Sequence, residues 1–187
     1  MNLLSNIQNC TWNGTYYDTF QDAIDAMVLA GVTTGTIMVE RGYTDEKACT
    51  VPVGMNVTIN TNGKIVSKVN EIVVEGTLNV IGTGKIESTY AYTITNKGTF
   101  TLTGATIENT STSTTTKTNA IVNEAGATFT MNSGKVYAKA TSTSSYGASA
   151  ITDNGGRIIV EDGEIKLEVS SSVTAEVYDV IALENSE

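Results

Sequence analysis

The chain contains no histidine, a single proline and only two cysteines, and its 17% charged residues include just 11 Lys and Arg. Lacking histidine, it lacks the commonest general base and the commonest metal ligand. With one proline and 17 glycines, it fits many short strands joined by turns better than a helical bundle. The formal net charge of −9 repels nucleic acid phosphates and anionic headgroups, and no Lys/Arg cluster reverses that locally, so nucleic acid is excluded as a partner class. No run approaches 18 apolar residues, which excludes insertion into a membrane by a helix. The start, Met1-Asn-Leu-Leu-Ser-Asn6, has neither a basic region nor an apolar stretch, so no signal peptide is expected. Two settings fit that start: a piece of a larger secreted protein, or a protein assembled inside a cell, as a virion component is. Cys10 and Cys49 admit either one disulfide at the N-terminal end or two partly buried thiols, and they match no CxxC or metal-ligand spacing.

Hydrophobic residues make up 40% of the 187 positions, enough for one domain with a continuous core. Much of the polar surface is Thr, Ser and Asn, a balance that suits pleated, half-buried strands. The first 35 residues differ from the rest. Asp18-Thr-Phe-Gln21 reads as a capping box with Asp18 as the N-cap. Apolar residues at Phe20, Ala23, Ile24, Met27, Val28 and Ala30 follow as a helical stripe, and Gly31 ends it. One amphipathic helix is predicted over about 19–30. From Thr36-Ile-Met-Val-Glu40 onward the period is two.

Internal repeats are the strongest signal. Gly76-Thr-Leu-Asn-Val80, Gly98-Thr-Phe-Thr-Leu102, Ala127-Thr-Phe-Thr-Met131 and Gly156-Arg-Ile-Ile-Val160 align, each placing two apolar residues on one face. A turn containing Gly82 and Gly84, Gly104, Gly134 or Gly163 follows, then a strand anchored by Ile86, Ile107, Val136 or Ile165. Each unit closes on an apolar residue and asparagine: Asn96, Asn123, Asn154 and Asn185. Leading glycines at 76, 98, 126 and 156 set intervals of 22, 28 and 30 residues. Such units cannot bury an apolar face alone but can when stacked. The predicted fold is all-β: a right-handed parallel β-helix, or solenoid, with one N-terminal capping α-helix. Handedness follows from the general rule for parallel crossovers. Residues 1–58 are read as the N-terminal cap with the first strands and 59–187 as the rungs, in a single domain. Leu78, Phe100, Phe129 and Ile158 are expected in one interior column, and the four asparagines in a side-chain ladder.

The run Tyr17-Asp-Thr-Phe-Gln-Asp-Ala-Ile24, with Gly35-Thr-Ile-Met-Val39 and Val57-Thr-Ile-Asn60, resembles the N-terminal cap of pectate-lyase-like right-handed β-helices. The glycine-led units are similar to adhesin-like repeats of bacterial surface proteins and to β-helical phage fibre and spike domains. This resemblance implies a helix plugging the first rung and, for virion relatives, a homotrimer. It also raises the alternative of a polysaccharide lyase or hydrolase, whose family pattern is calcium-binding aspartates with an arginine base.

The residues give that alternative little. Arg41 falls in the cap and Arg157 on an outward position near Glu161-Asp162-Gly-Glu164, a turn with no sign of burial. Asp153 with Glu161, Asp162 and Glu164 matches no calcium-loop spacing. No catalytic residue, metal ligand or cofactor is assigned. An ice-binding face is a remoter alternative, because the outward threonine columns are broken by Asn79 and Arg157.

Ser/Thr tracts at 110–118, 141–145 and 170–174 occupy one place in successive units, between the second strand and the closing one. Tyr90, Tyr92, Tyr137, Tyr146 and Tyr178 fall on or beside that edge, with Thr114 and Ser144 in the tracts. Tyrosine offers a flat apolar face with a polar tip, suited to sugars or to a protein surface. The sequence therefore predicts a non-catalytic structural or adhesive module on the extracellular surface of a virion or bacterial cell. Its expected partner is a glycan or a protein, bound by these residues.

Overall fold

The computed structural model describes residues 8–111, 117–140, 148–169 and 178–183. A cap comes first: β1 (Cys10–Trp12), β2 (Thr15–Tyr17) and α1 (Phe20–Leu29). Six rungs of three strands follow. They are β3 (Thr34–Val39), β4 (Tyr43–Asp45) and β5 (Cys49–Val51), then β6 (Asn56–Asn60), β7 (Ile65–Lys68) and β8 (Ile72–Val74). The third and fourth rungs are β9 (Thr77–Ile81), β10 (Lys85–Ser88) and β11 (Tyr92–Asn96), then β12 (Thr99–Thr103), β13 (Thr106–Ser111) and β14 (Thr118–Asn123). The last two are β15 (Thr128–Met131), β16 (Lys135–Ala140) and β17 (Ala148–Asp153), then β18 (Arg157–Val160), β19 (Glu164–Val169) and β20 (Tyr178–Leu183).

Every third strand pairs in parallel, giving sheet A (β3, β6, β9, β12, β15, β18), sheet B (β4 to β19) and sheet C (β5 to β20). The chain is therefore a parallel β-helix, as predicted. Its stack begins at Thr34, within the segment 1–58 read as the cap with the first strands.

Alternation decides which side chains go in. On sheet A the register aligns Val57, Leu78, Phe100, Phe129 and Ile158. The Phe100 and Phe129 rings stack at 5.2 Å with planes 23° apart, and both are wholly buried. Ile59, Val80, Leu102 and Met131 form the second column, and Val66, Ile86, Ile107 and Val136 the sheet B column, all buried. Each such side chain contributes about 1.5–3 kcal/mol by leaving water. Sheet C supplies Ile72, Ile94, Ile121 and Ile151. The Phe column starts at Gly35, opposite Val57, because the space above Gly35 is filled by the Met27 methyl and the Trp12 indole; a Cβ there would lie 2.8 and 2.7 Å from them.

Three sequence expectations need correction. First, the helix N-cap is Thr19, not Asp18. The Thr19 hydroxyl accepts from the Asp22 amide at 3.1 Å and lies 2.6 Å from the Asp22 carboxylate, so the capping box sits one residue later. Second, the helix buries only Phe20, Ala23, Ile24 and Met27, leaving Val28 and Ala30 exposed. Gly31 does close it, with φ of 69°. Third, the ladder runs Asn96–Asn123–Asp153. Asn96 donates to Asn123 at 2.8 Å and Asn123 to Asp153 at 2.6 Å. Strand register selects position 153, two residues past Ile151, and opposes it to Leu183; Asn154 instead donates to Glu124 at 3.0 Å. Asn185 lies outside the described residues.

The glycine-led positions hold by close approach. A Cβ on Gly98 would meet the Gly76 carbonyl oxygen at 2.2 Å. The residue in that place one rung on is Ala127 rather than Gly126, since Thr99 pairs with Thr128.

Candidate functional site

The turn between sheets A and B keeps nearly one length throughout. The corner between sheets B and C grows: residues 89–91, 112–117, 141–147 and 170–177 join successive strands there. Most of the predicted Ser/Thr tracts, at 112–116, 141–145 and 170–174, lie outside the described residues, Thr114 and Ser144 among them, and so does Tyr146. Tyr178 opens β20.

Tyr90 is on the same corner, 47% exposed, and held by its backbone. Its amide donates to the Ser88 hydroxyl at 2.9 Å, and its carbonyl accepts from Asn109 at 2.8 Å. Tyr92, two residues on, begins β11 and is half-buried. Tyr137 stands apart, in the middle of the outer face of sheet B. Its hydroxyl donates to Glu168 at 2.6 Å, and its ring carries Lys135 at 5.0 Å and Lys166 at 5.6 Å. Burial first, then the Glu168 carboxylate, pushes its phenol up to about 12. Tyr90 and Tyr92 lie two residues apart at this corner, the Tyr137 ring already has cationic neighbours, and the side chains of Tyr146 and Tyr178 lie outside the described residues.

Sequence reading missed the acidic half of the site. Outward residues of sheet B align Ser67, Glu87, Glu108, Tyr137 and Lys166. Lys85 forms an ion pair with Glu87 and another with Glu108 at 3.1 Å. Ser67 donates to Glu87 at 2.8 Å. Burial works against both charges. The bonds from Lys85 and Ser67 outweigh it, holding the Glu87 carboxyl below its ordinary range, and Lys85 is likewise held above its own. Beside this column lies a cleft of about 290 Å³, lined by Thr44, Ser67, Glu87, Thr89 and Thr110 among others. It offers hydroxyls from four rungs and one ionised carboxylate. The signal that could have revealed it is the outward position of each second strand, read across units.

The residues weighed for catalysis or calcium do not converge. Arg41 donates to Asn9 at 2.9 Å in the cap. Asp153 accepts from Asn123, while Glu161, Asp162 and Glu164 are exposed. Among the described residues no group of three or more His, Cys, Asp or Glu is placed to hold a metal. The outward columns considered for ice binding register as Thr77–Thr99–Thr128–Arg157 and Asn79–Thr101–Thr130–Ile159, with the breaks where the sequence put them. Among the described residues, no helix is long and apolar enough to cross a membrane. Against protein-family models, curated proteins and solved structures, the chain finds no match.

Proposed function

We propose that the chain is a non-catalytic β-helical module that holds a neutral, hydroxyl-rich glycan on an exposed surface. One observation carries this reading: the cleft beside sheet B, where Thr44, Ser67, Thr89 and Thr110 line a wall with the Glu87 carboxylate. Carboxylates and hydroxyls are good partners for sugar hydroxyls, and Tyr90, next to Thr89 in the chain, offers a flat, exposed ring. The net charge of −9 disfavours polyanionic chains.

Glu87 and Glu108 meeting at one ammonium favour a second reading, a carbohydrate-active enzyme. A general acid needs a raised proton affinity, however, and Glu87 is shifted the other way by Lys85 and Ser67.

A glycan array followed by calorimetry tests both readings. Binding to a neutral glycan is expected, weakened at least about tenfold by Glu87→Gln and by Tyr90→Ala, the loss of one charge-assisted bond or one ring contact. Tyr16→Ala, exposed on the cap hairpin, leaves it unchanged. Failure to bind any glycan, or binding indifferent to both site variants, defeats the proposal, and release of shortened sugars selects the enzyme instead.

A further inference from the structure

The two ends of the tube are unlike. At the N-terminal end α1 lays Phe20, Ala23, Ile24 and Met27 on the first rung, and β1 pairs antiparallel along the edge of β3. At the other end, the inward columns emerge into solvent. Val160 is 46% exposed, where Met131 one rung below is 0%. Val169 and Ile181 are 39% and 38% exposed, where their predecessors Ala140 and Ile151 are 1% and 0%. Ile158, Ile165 and Leu167 are part-exposed in the same way. Among the described residues, no strand pairs with the outer edges of β18, β19 and β20. An open apolar end framed by free strand edges invites another β-layer.

We infer that two copies of this chain join end to end through their last rungs, about a two-fold axis through Leu167. The capped first rung cannot receive a last rung, so head-to-tail stacking is blocked and the contact must be isologous. A two-fold axis normal to sheet B brings β19 antiparallel to its own copy and sets each β18 against the other copy's β20. Residues directly opposite in an antiparallel pair point to the same side. Centred on Leu167, the register faces Leu167 with Leu167 and Ile165 with Val169 on the inner side. On the outer side it faces Lys166 with Glu168, twice. Shifting the centre by one residue to Lys166 would set lysine against lysine and Glu164 against Glu168. The β19 sequence, Glu164-Ile-Lys-Leu-Glu-Val169, is therefore complementary to itself in one register and repulsive in that neighbouring one.

Sedimentation of the full 187-residue chain over a concentration series tests this. A monomer–dimer equilibrium is expected, and a chain monomeric throughout, or a trimer, overturns the inference. Lys166→Glu and Glu168→Lys should each weaken the dimer at least tenfold. An equimolar mixture of these two single variants should regain it, because each then supplies the charge the other lacks. Loss of fold in either variant cannot produce that recovery. A mixture that stays monomeric, or a dimer that neither variant weakens, also overturns the interface. Leu167→Cys should cross-link as a disulfide dimer on oxidation, since the native thiols are buried; a non-crosslinking Leu167→Cys dimer places the axis elsewhere.

Discussion

Cys10 and Cys49 are free and buried, which settles the alternative the sequence left open. The Cys10 thiol points at the carbonyls of Tyr17 and Thr19, at 3.6 and 3.5 Å. Burial is the main cause that pushes both thiols up to about 12, from 9.0. The rise from 9.0 to about 12 leaves on the order of 10³-fold less thiolate at neutral pH, so alkylation should be slower by about that factor unless the chain opens. Iodoacetamide labelling at pH 8 in folded and urea-unfolded protein checks this. The pH dependence has a definite sign. Below about 9 the thiols are neutral in both states; above it the unfolded chain loses its protons first. Stability should therefore fall as pH rises from 9 toward 12, and Cys10→Ala should flatten that fall in urea titrations. Residues like these are only half legible in sequence: their burial follows from apolar neighbours, but whether they bond depends on a geometry that spacing does not carry.

Among the elements, α1 is anchored by a group its own sequence does not contain. Asp45, wholly buried in β4, accepts from the Phe20 amide at 3.2 Å, the first turn of the helix. The same carboxylate takes the Lys47 amide at 3.2 Å and the Lys68 ammonium at 3.0 Å, with neither side chain of the ion pair exposed. Lys68 also donates to the Lys47 carbonyl at 2.7 Å. Breaking a buried pair strands the partner charge, so Asp45→Ala should cost about 3–5 kcal/mol in urea unfolding. Asp45→Leu combined with Lys68→Met should cost less than the two single changes added together.

The strands from β9 onward were legible because Thr-Phe-Thr-Leu alternation and the turn glycines agree on one register. The inward column Asp45–Lys68–Ser88–Asn109 was not, since charged and polar residues at inward positions break the pattern by which inwardness is read. The N-cap was displaced by one because Asp18 and Thr19 are both good caps, and only the backbone chooses. Ser67, Glu87 and Glu108 escaped notice for a further reason: about twenty residues separate each from the next in sequence, and only the register makes them neighbours.

For the molecule as a whole, each rung touches little beyond the rungs on either side, so stability is close to a sum of neighbour terms. Among the described strands, the rung β18–β20 has a neighbour on one side only. In dilute protein, amide exchange should therefore be fastest, among the strands, in β18, β19 and β20, and slowest in β9 to β14, where Phe100 and Leu102 lie between filled layers. Uniform protection along the stack would show that the tube unfolds as one unit. The fold was readable at this scale because repetition multiplies a weak local signal over the four aligned units. Function was not, because display depends on outward residues that the core does not constrain.

The unequal corners separate two kinds of freedom. Where sheets A and B meet, backbone lies on backbone, as at Gly104, whose Cβ would stand 2.7 Å from the Gly82 carbonyl oxygen, leaving no slack. Where sheets B and C meet, segments of three to eight residues are accommodated while the register of the flanking strands continues unbroken. A foreign peptide spliced into that edge would be carried at a fixed height along the rod, making the molecule a ruled holder on which several epitopes can be spaced in steps of about 4.8 Å.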